Sequence, residues 1–283
     1  MLGHDVMRAG ERAGHELVPV DLPELDITDV SAVSALVGRL QDEPGSLDGI
    51  VNCAAWTDVD GAESKREQAH AVNAEGVGVL AGVAYQGGIP LLHISTDYVF
   101  DGVAPLDADG RPRAYLESDP TGPRSVYGAT KLEGEQMVLG VSPDNTVVRT
   151  AWLYGIDGAN FVATMLRLAG ERDAVQVVTD QVGSPTWAGH LAPAVLGLLE
   201  RQVSGLVHLT GGGQVSWNSF TQEIFRQAEL DCRVEPTTSD QFVRPAPRPA
   251  WSALETERDD VLPLPPWQDG LAGYLAARNG MMR

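Results

Sequence analysis

Short β-like runs alternate with helical stretches through the first 175 residues of this chain. That alternation is the signature of a parallel sheet with helices on both faces, because parallel neighbours need a long crossover connection. Residues 3–13 read as a helix, His15–Asp21 as a strand ending in an acid, and Thr28–Leu40 as a helix with Thr28 or Asp29 as its cap. Asp48–Ala55 and Pro90–Thr96 read as buried strands around a helix within Ser64–Gly87. A loop rich in Gly, Pro and Asp ends at Tyr127, where a helix to about Leu139 starts. Asn145–Leu153 and Phe161–Glu171 read as the next strand and helix.

Beyond residue 175 the elements shorten and mix, punctuated by Pro185, Pro193, Pro236 and the run Pro245-Ala246-Pro247-Arg248-Pro249. Leu206–Leu209 reads as a strand before a turn at Gly211-Gly212-Gly213. The expected architecture is α/β. A Rossmann-like doubly wound parallel sheet spans residues 1–175, and a smaller mixed lobe spans 176–283, with some of its segments returning to the first domain. A dinucleotide-binding unit begins strand, Gly-rich turn, helix. Here the first element is already the helix, and Gly3 is all that remains of such a turn. A central strand of about 5–6 residues and a short turn are expected ahead of it, so the natural chain is expected to start roughly 10–12 residues earlier. The activity of the chain as it stands depends on that segment, since losing a middle strand leaves two sheet edges unpaired.

With 283 residues and 43% hydrophobic content, the chain can bury a large core. No apolar run reaches membrane-spanning length and no secretory leader pattern is read, so a cytoplasmic protein without a membrane partner is expected. A net charge of −19 argues against a nucleic-acid partner, which needs a basic surface. The two cysteines make no disulfide framework, and Cys53 reads as a small core residue. The six histidines lack ligand spacing, so no metal is expected.

The chemistry-bearing pattern is Tyr127-x-x-x-Lys131. Residues at i and i+4 share a helix face. The run His93-Ile94-Ser95-Thr96-Asp97-Tyr98-Val99-Phe100 sets hydroxyls at the end of a buried strand. A phenol and an ammonium near such a hydroxyl make a proton donor for a carbonyl, which points to reduction of a ketone by hydride. Alone, the pair reads better as an exposed helix start with an ordinary surface lysine. It does not stand alone. Leu25-Asp26-Ile27-Thr28-Asp29, Val51-Asn52-Cys53-Ala54-Ala55-Trp56-Thr57-Asp58 and Val72-Asn73-Ala74 precede it. Arg149-Thr150-Ala151-Trp152-Leu153-Tyr154-Gly155, Asp180-Gln181-Val182-Gly183-Ser184-Pro185-Thr186 and Arg248-Pro249 follow it. As an ordered set covering essentially the whole chain, these resemble the extended short-chain dehydrogenase/reductases. More narrowly, they resemble the dTDP-4-dehydrorhamnose reductase family.

The resemblance implies NADPH- or NADH-dependent reduction of the 4-keto group of a nucleotide-sugar, with dTDP-4-dehydro-L-rhamnose the expected substrate. It implies Tyr127 as general acid, Thr96 bonding the substrate carbonyl, and Lys131 lowering the phenol from its ordinary pKa of about 10 while bonding the nicotinamide ribose. Met1, Leu2 and Gly3 align with the end of the glycine turn, Asp26 and Ile27 with residues around the adenine, and Ala55, Trp56 and Thr57 with a loop against the cofactor. Ile94 aligns beneath the nicotinamide. Asp21 is either a ribose ligand or a turn residue before Pro23, so NAD versus NADP stays open. Asn73 either holds backbone near the site or bonds within its helix. Thr96, Asp97, Trp152 and Arg248 are the implied substrate contacts, with Trp152 equally readable as a core aromatic and Arg248 suited to a diphosphate. The chain departs from the family pattern at Trp251, where asparagine is frequent, and at Gly61, where lysine is common. A reductase making a dihydrostreptose-type sugar shares these features. So does a non-catalytic cofactor-binding subunit like the regulatory β subunit of methionine adenosyltransferase. Some relatives form a homodimer through helices, and no residue pattern here decides that.

Overall fold

The computed structural model describes residues 1–42 and 47–281. Helix α1 (Leu2–Ala13) buries the stripe Leu2, Val6 and Ala9 and ends at Gly14, which takes the left-handed conformation with φ 84°. Helix α2 (Val30–Asp42) is capped by Asp29, whose Oδ1 accepts from the N–H groups of Ser31 and Ala32 at 2.9 and 3.0 Å.

Between these helices the expected strand His15–Asp21 does not form; the segment has no regular structure and is unpaired. Val18 and Val20 are 50% and 40% exposed. Among the described residues no ladder reaches this segment, and the outer edge of β1 (Ile50–Asn52) is likewise unpaired. Alternating apolar residues supply β-propensity, but a strand exists only where a neighbour completes its backbone hydrogen bonds.

Helices α3 (Val59–Ser64), α4 (Arg66–His70) and α5 (Gly76–Gln86) follow, and a π-helical turn at Ala71–Glu75 breaks the helix expected within Ser64–Gly87. Then come β2 (Leu91–Thr96), α6 (Val126–Val141) and β3 (Thr146–Thr150). The strand expected to run to Leu153 stops at Thr150 and resumes as β4 (Leu153–Tyr154), because Trp152 sits at φ 47° and turns the chain. Next are α7 (Phe161–Ala169), β5 (Ala174–Val178), β6 (Val182–Gly183), β7 (Thr186–Trp187), α8 (Ala188–Glu200) and β8 (Gly205–His208). The chain closes with β9 (Val215–Ser216), α9 (Trp217–Gln227), β10 (Arg233–Thr237), β11 (Trp251–Ser252) and α10 (Trp267–Met281).

The main sheet is parallel in the order β1-β2-β3-β8. Successive residues on its strands point to opposite faces. Leu91, Val147 and Leu206 pack with residues of α2, α5 and α6, whereas Leu92, Val148 and Val207 pack with α1 and α8. Doublets of apolar residues on each strand are thus what winds helices onto both faces. A second core joins β5 and β10, paired in parallel, to α7, α9 and α10 through Val175, Val177, Phe220, Ile224, Leu271 and Tyr274. Among the described residues no helix is long and apolar enough to cross a membrane.

Candidate active site

Ligand crevices in parallel sheets lie outside the carboxyl ends of the strands. Thr96 ends β2, Thr150 ends β3, and the loop Ala55–Thr57 follows β1. Helix α6 starts beside them. Its cap Ser125 accepts the Gly128 N–H at 3.1 Å, and Glu63 accepts the Val126 N–H at 2.8 Å. At Gly128 a Cβ would come within 2.2 Å of the Tyr98 carbonyl oxygen, so only glycine lets α6 settle onto the turn at Asp97–Val99. This close approach delivers Tyr127 to the strand end. Tyr98 meets its ring edge-on at 5.5 Å.

Burial pushes the Tyr127 phenol up to about 12; the Thr96 hydroxyl bonds it and draws it partway back, while Asp97 pushes it up again. Lys131, expected to lower that phenol, is not among the groups that set it. Its Nζ instead reaches the Ile94 carbonyl at 2.6 Å and Nε2 of His93 at 3.0 Å. Burial pulls Lys131 down to about 8, against the opposing pull of Glu135 and Cys53. The difference is one of direction: the lysine points inward beneath the strand and not toward the phenol.

Asp97 is buried, accepts from the Thr96 hydroxyl at 2.9 Å on Oδ1, and has no partner on Oδ2. Burial raises it to about 6, with the hydroxyls of Ser252 and Thr96 pulling the other way. Ser252 also accepts from Trp152 Nε1 at 3.1 Å. The Trp152 ring lies parallel to Trp217 at 3.4 Å, over Gly183, where a Cβ would fall 2.3 Å from the indole. Left-handed backbone at a tryptophan is strained, and such residues gather at functional sites. Trp152, Ser252 and Asp97 thus form one cluster, drawn from three separate stretches of chain.

Asn73 holds backbone outside its own turn. It accepts the Trp56 N–H at 2.8 Å and donates to the Trp56 carbonyl at 3.1 Å and to Thr130 at 3.2 Å. This ties the loop Ala55–Thr57 to α6. Leu2 is buried in the core under the sheet, Gly3 lies against Cys53, and Met1 lies against Gly155, so the start of α1 reaches the ends of β1 and β4. Ile94 is half-buried within β2. Ile27 packs onto Gly76 at the start of α5, and Asp26 is exposed, bonded to Thr28 and lowered by those bonds. Asp21 is exposed and accepts from Leu22 within its own turn. Asp21 and Asp26 therefore lie at the surface, bonded within their own turns and not to Thr96 or Tyr127.

Arg248 lines a cleft with Tyr98, Arg124 and Ser125, and its guanidinium is held by Asp60 at 2.9 Å and the Ala246 carbonyl at 3.1 Å. Sequence reasoning missed Arg124, Asp60, Ser252 and Trp217, whose only signal is proximity across the fold. It quoted His93 without assigning it a role. Among the described residues no group of His, Cys, Asp or Glu side chains has the arrangement of a metal site.

Comparison with known proteins agrees with this geometry. Residues 1–279 match the family model described as the RmlD substrate binding domain. The dTDP-4-dehydrorhamnose reductase of Streptomyces griseus is 45% identical over 99% of this chain and 91% of its own length. Among solved structures, the dTDP-4-dehydrorhamnose reductase ortholog of Clostridium acetobutylicum superposes with a TM-score of 0.89 at 39% identity, covering 98% of this chain and 96% of the other. That of Bacillus anthracis, in complex with NADP, superposes with a TM-score of 0.90 at 35% identity, over 98% and 95%. By family model, sequence and fold, this chain belongs to the RmlD substrate-binding-domain family, that of the dTDP-4-dehydrorhamnose reductases.

Proposed function

We propose that the protein reduces the 4-keto group of a nucleotide-sugar with NADPH or NADH, and that its substrate is dTDP-4-dehydro-L-rhamnose, giving dTDP-L-rhamnose. The observation that carries this reading is the bonded Thr96–Tyr127 hydroxyl pair at the end of β2, with Thr96 buried and the buried Lys131 one helical turn on. Likeness to reductases of that name supports the substrate, and the NADP complex of the Bacillus anthracis relative supports the cofactor.

The donor set fits a reduced nicotinamide dinucleotide. The start of α1 at Met1, Leu2 and Gly3, the loop Ala55, Trp56 and Thr57, and the apolar Ile94 gather at the strand ends, where Thr150 Oγ1 and Asp97 Oδ2 are buried without partners. When bound, the nicotinamide supplies the hydride that adds to the keto carbon. Thr96 and Tyr127 hold the keto oxygen, and Tyr127 donates its phenolic proton to that oxygen as it gains charge. A phenol at about 12 stays protonated near neutral pH, the form a general acid needs. Lys131 as an ammonium stabilises the phenolate left behind.

Asp97 and Trp152 contact the sugar. Arg248, steadied by Asp60 and beside Arg124, takes the diphosphate, whose oxygens match a guanidinium fork. Residues 176–283 serve mainly as the substrate lobe, although β8 within that span belongs to the main sheet. Asp26 and Ile27 contact the adenine end. A cytoplasmic location goes with this chemistry, and light scattering tests for a homodimer.

The test is to incubate the protein with NADPH and the enzymatically prepared keto-sugar, follow absorbance, and identify the product by NMR. Substrate-dependent oxidation of NADPH with formation of dTDP-L-rhamnose is expected. A dihydrostreptose-type product would move the reading to that branch. No oxidation, together with a stoichiometric co-purifying partner, would overturn it in favour of a regulatory subunit.

A further inference from the structure

Arg248 reaches its cleft on an arm of the chain. Both ends of that arm are fastened to one short stretch. Asp180 Oδ2 accepts the Ser239 N–H at 2.9 Å, and Gln181 Nε2 donates to the Ser239 hydroxyl at 2.8 Å. At the other end the Val182 N–H donates to the Ala250 carbonyl at 2.9 Å. Among the described residues, the hydrogen bonds that residues 243–248 make outside their own segment all go to one side chain, Asp60 of α3. Its Oδ1 accepts the Ala246 N–H at 3.2 Å, and its Oδ2 accepts from Arg248 at 2.9 Å and from Arg244 at 3.4 Å.

Helix α3 has six residues, too few to be stable in isolation, so its neighbours fix its place. Its cap Asp58 follows directly on the loop Ala55–Thr57 and accepts the Gly61 N–H at 2.9 Å. The Trp56 indole N–H donates to the Asp58 carbonyl at 2.9 Å, which makes the loop and the helix start one piece. Three residues beyond Asp60, on the same helix face, Glu63 accepts the Val126 N–H at the start of α6. The loop assigned to the cofactor, the carboxylate that catches the substrate arm and the helix that carries Tyr127 are thus joined through α3.

We propose that Asp60 is a positioning residue that couples the two binding events. By docking the Arg248 arm onto α3, it makes a nucleoside diphosphate bind more tightly when a nicotinamide dinucleotide lies on the loop Ala55–Thr57, and the converse. This deepens the proposed function and rests on its assignment of that loop to the cofactor and of Arg248 to the diphosphate.

The geometry suits such a coupling. The side chains of Arg248 and Asp60 stay 20% and 26% exposed. An ion pair so open to water holds weakly, so the arm divides between a docked and an undocked state. The affinity for a diphosphate is then that of the docked arm reduced by the docked fraction. Contacts that still the loop also still Asp60 and raise that fraction. Linkage requires the diphosphate to raise the affinity for the cofactor by the same factor. A guanidinium has five N–H donors, so a fork held by Asp60 and the Ala246 carbonyl keeps others for phosphate oxygens.

Calorimetric titration with thymidine diphosphate, with and without saturating NADPH, tests this without turnover. The wild type is expected to bind thymidine diphosphate at least about fivefold more tightly when NADPH is present. Asp60→Asn keeps the shape and an oxygen for the Ala246 N–H but loses the charge that holds Arg248. Its ratio should fall to within about twofold of one, with NADPH alone still bound. If that variant does not fold, Arg248→Gln breaks the same link from the arm and should lower the ratio in the same way. A wild-type ratio of one, or a folded variant that keeps the wild-type ratio, overturns the inference and leaves the reductase reading standing. Loss of NADPH binding in folded Asp60→Asn shows a merely structural role and overturns it as well. A wild type that fails to bind either ligand overturns the reductase reading, and the inference with it.

Discussion

Arg149 grips Glu135 through two hydrogen bonds, Nε to Oε1 at 2.9 Å and Nη2 to Oε2 at 2.7 Å, with both side chains buried. Ser95 adds a third at 2.5 Å, and the guanidinium lies 5.0 Å from the centre of the Phe100 ring. The pair links α6 to β3 one turn after Lys131. Removing one partner of a buried ion pair costs about 3–5 kcal/mol, because the other charge is left uncompensated. Glu135→Gln is therefore expected to lower the unfolding free energy by that order, and the double variant Glu135→Leu, Arg149→Leu to recover part of it. Urea unfolding of the three proteins checks this.

Tyr127→Phe keeps the ring and its contact with Tyr98 but removes the proton. General acid catalysis is worth about 10²–10⁴-fold, so kcat should fall by that factor. NADPH affinity, read by calorimetry, should change by less than about tenfold, the worth of one hydrogen bond. A variant keeping more than about a tenth of the wild-type kcat would remove Tyr127 from the acid role.

Asp97 makes stability depend on pH. Its folded value is raised from an ordinary 3.8 to about 6, so the folded state binds this proton more tightly than the unfolded chain. That contribution is fully present below about pH 4 and is lost as pH rises through about 6. The loss is on the order of 3 kcal/mol. Asp97→Asn should match the wild type near pH 4 and be the more stable protein near pH 7.5, within the precision of about 1 kcal/mol that paired denaturation curves allow. Equal stability differences at both values would show that the carboxyl does not titrate in this window.

Asn73→Ala strips the Trp56 N–H and carbonyl of their partners. Leaving buried polar groups unsatisfied costs about 1–3 kcal/mol each, although Trp56 is near enough to the surface for water to recover part. A loss of about 2 kcal/mol in stability is expected, with weaker NADPH binding because the loop Ala55–Thr57 is no longer tied to α6. Thermal unfolding with and without NADPH separates the two effects: a smaller ligand-induced shift marks the loop's role.

Much of this fold is legible in local pattern. The doublets Leu91-Leu92, Val147-Val148 and Leu206-Val207 announce strands covered on both faces, and the covering helices lie where the pattern puts them. Asp29 is a recognisable cap, and Tyr127-x-x-x-Lys131 announces a shared helix face. His15–Asp21 has the same kind of pattern and fails, because pairing is a property of the neighbour as much as of the strand. The break at Trp152 has no local warning either; its left-handed backbone is held by a stack on Trp217 and a bond to Ser252.

The candidate site divides in the same way. Residue types and spacing by themselves set a phenol and an amine one turn apart on one helix and a hydroxyl at a strand end, since helix and strand periodicity are local. They carried no sign that Asp60 would seize Arg248 from 188 residues away, or that Lys131 would turn to His93 and Ile94. Tertiary structure alone decided the proton states: Tyr127 raised, Asp97 raised, Lys131 lowered. Each shift begins with desolvation, and how far a group is removed from water depends on everything packed around it, not on its own place in the chain.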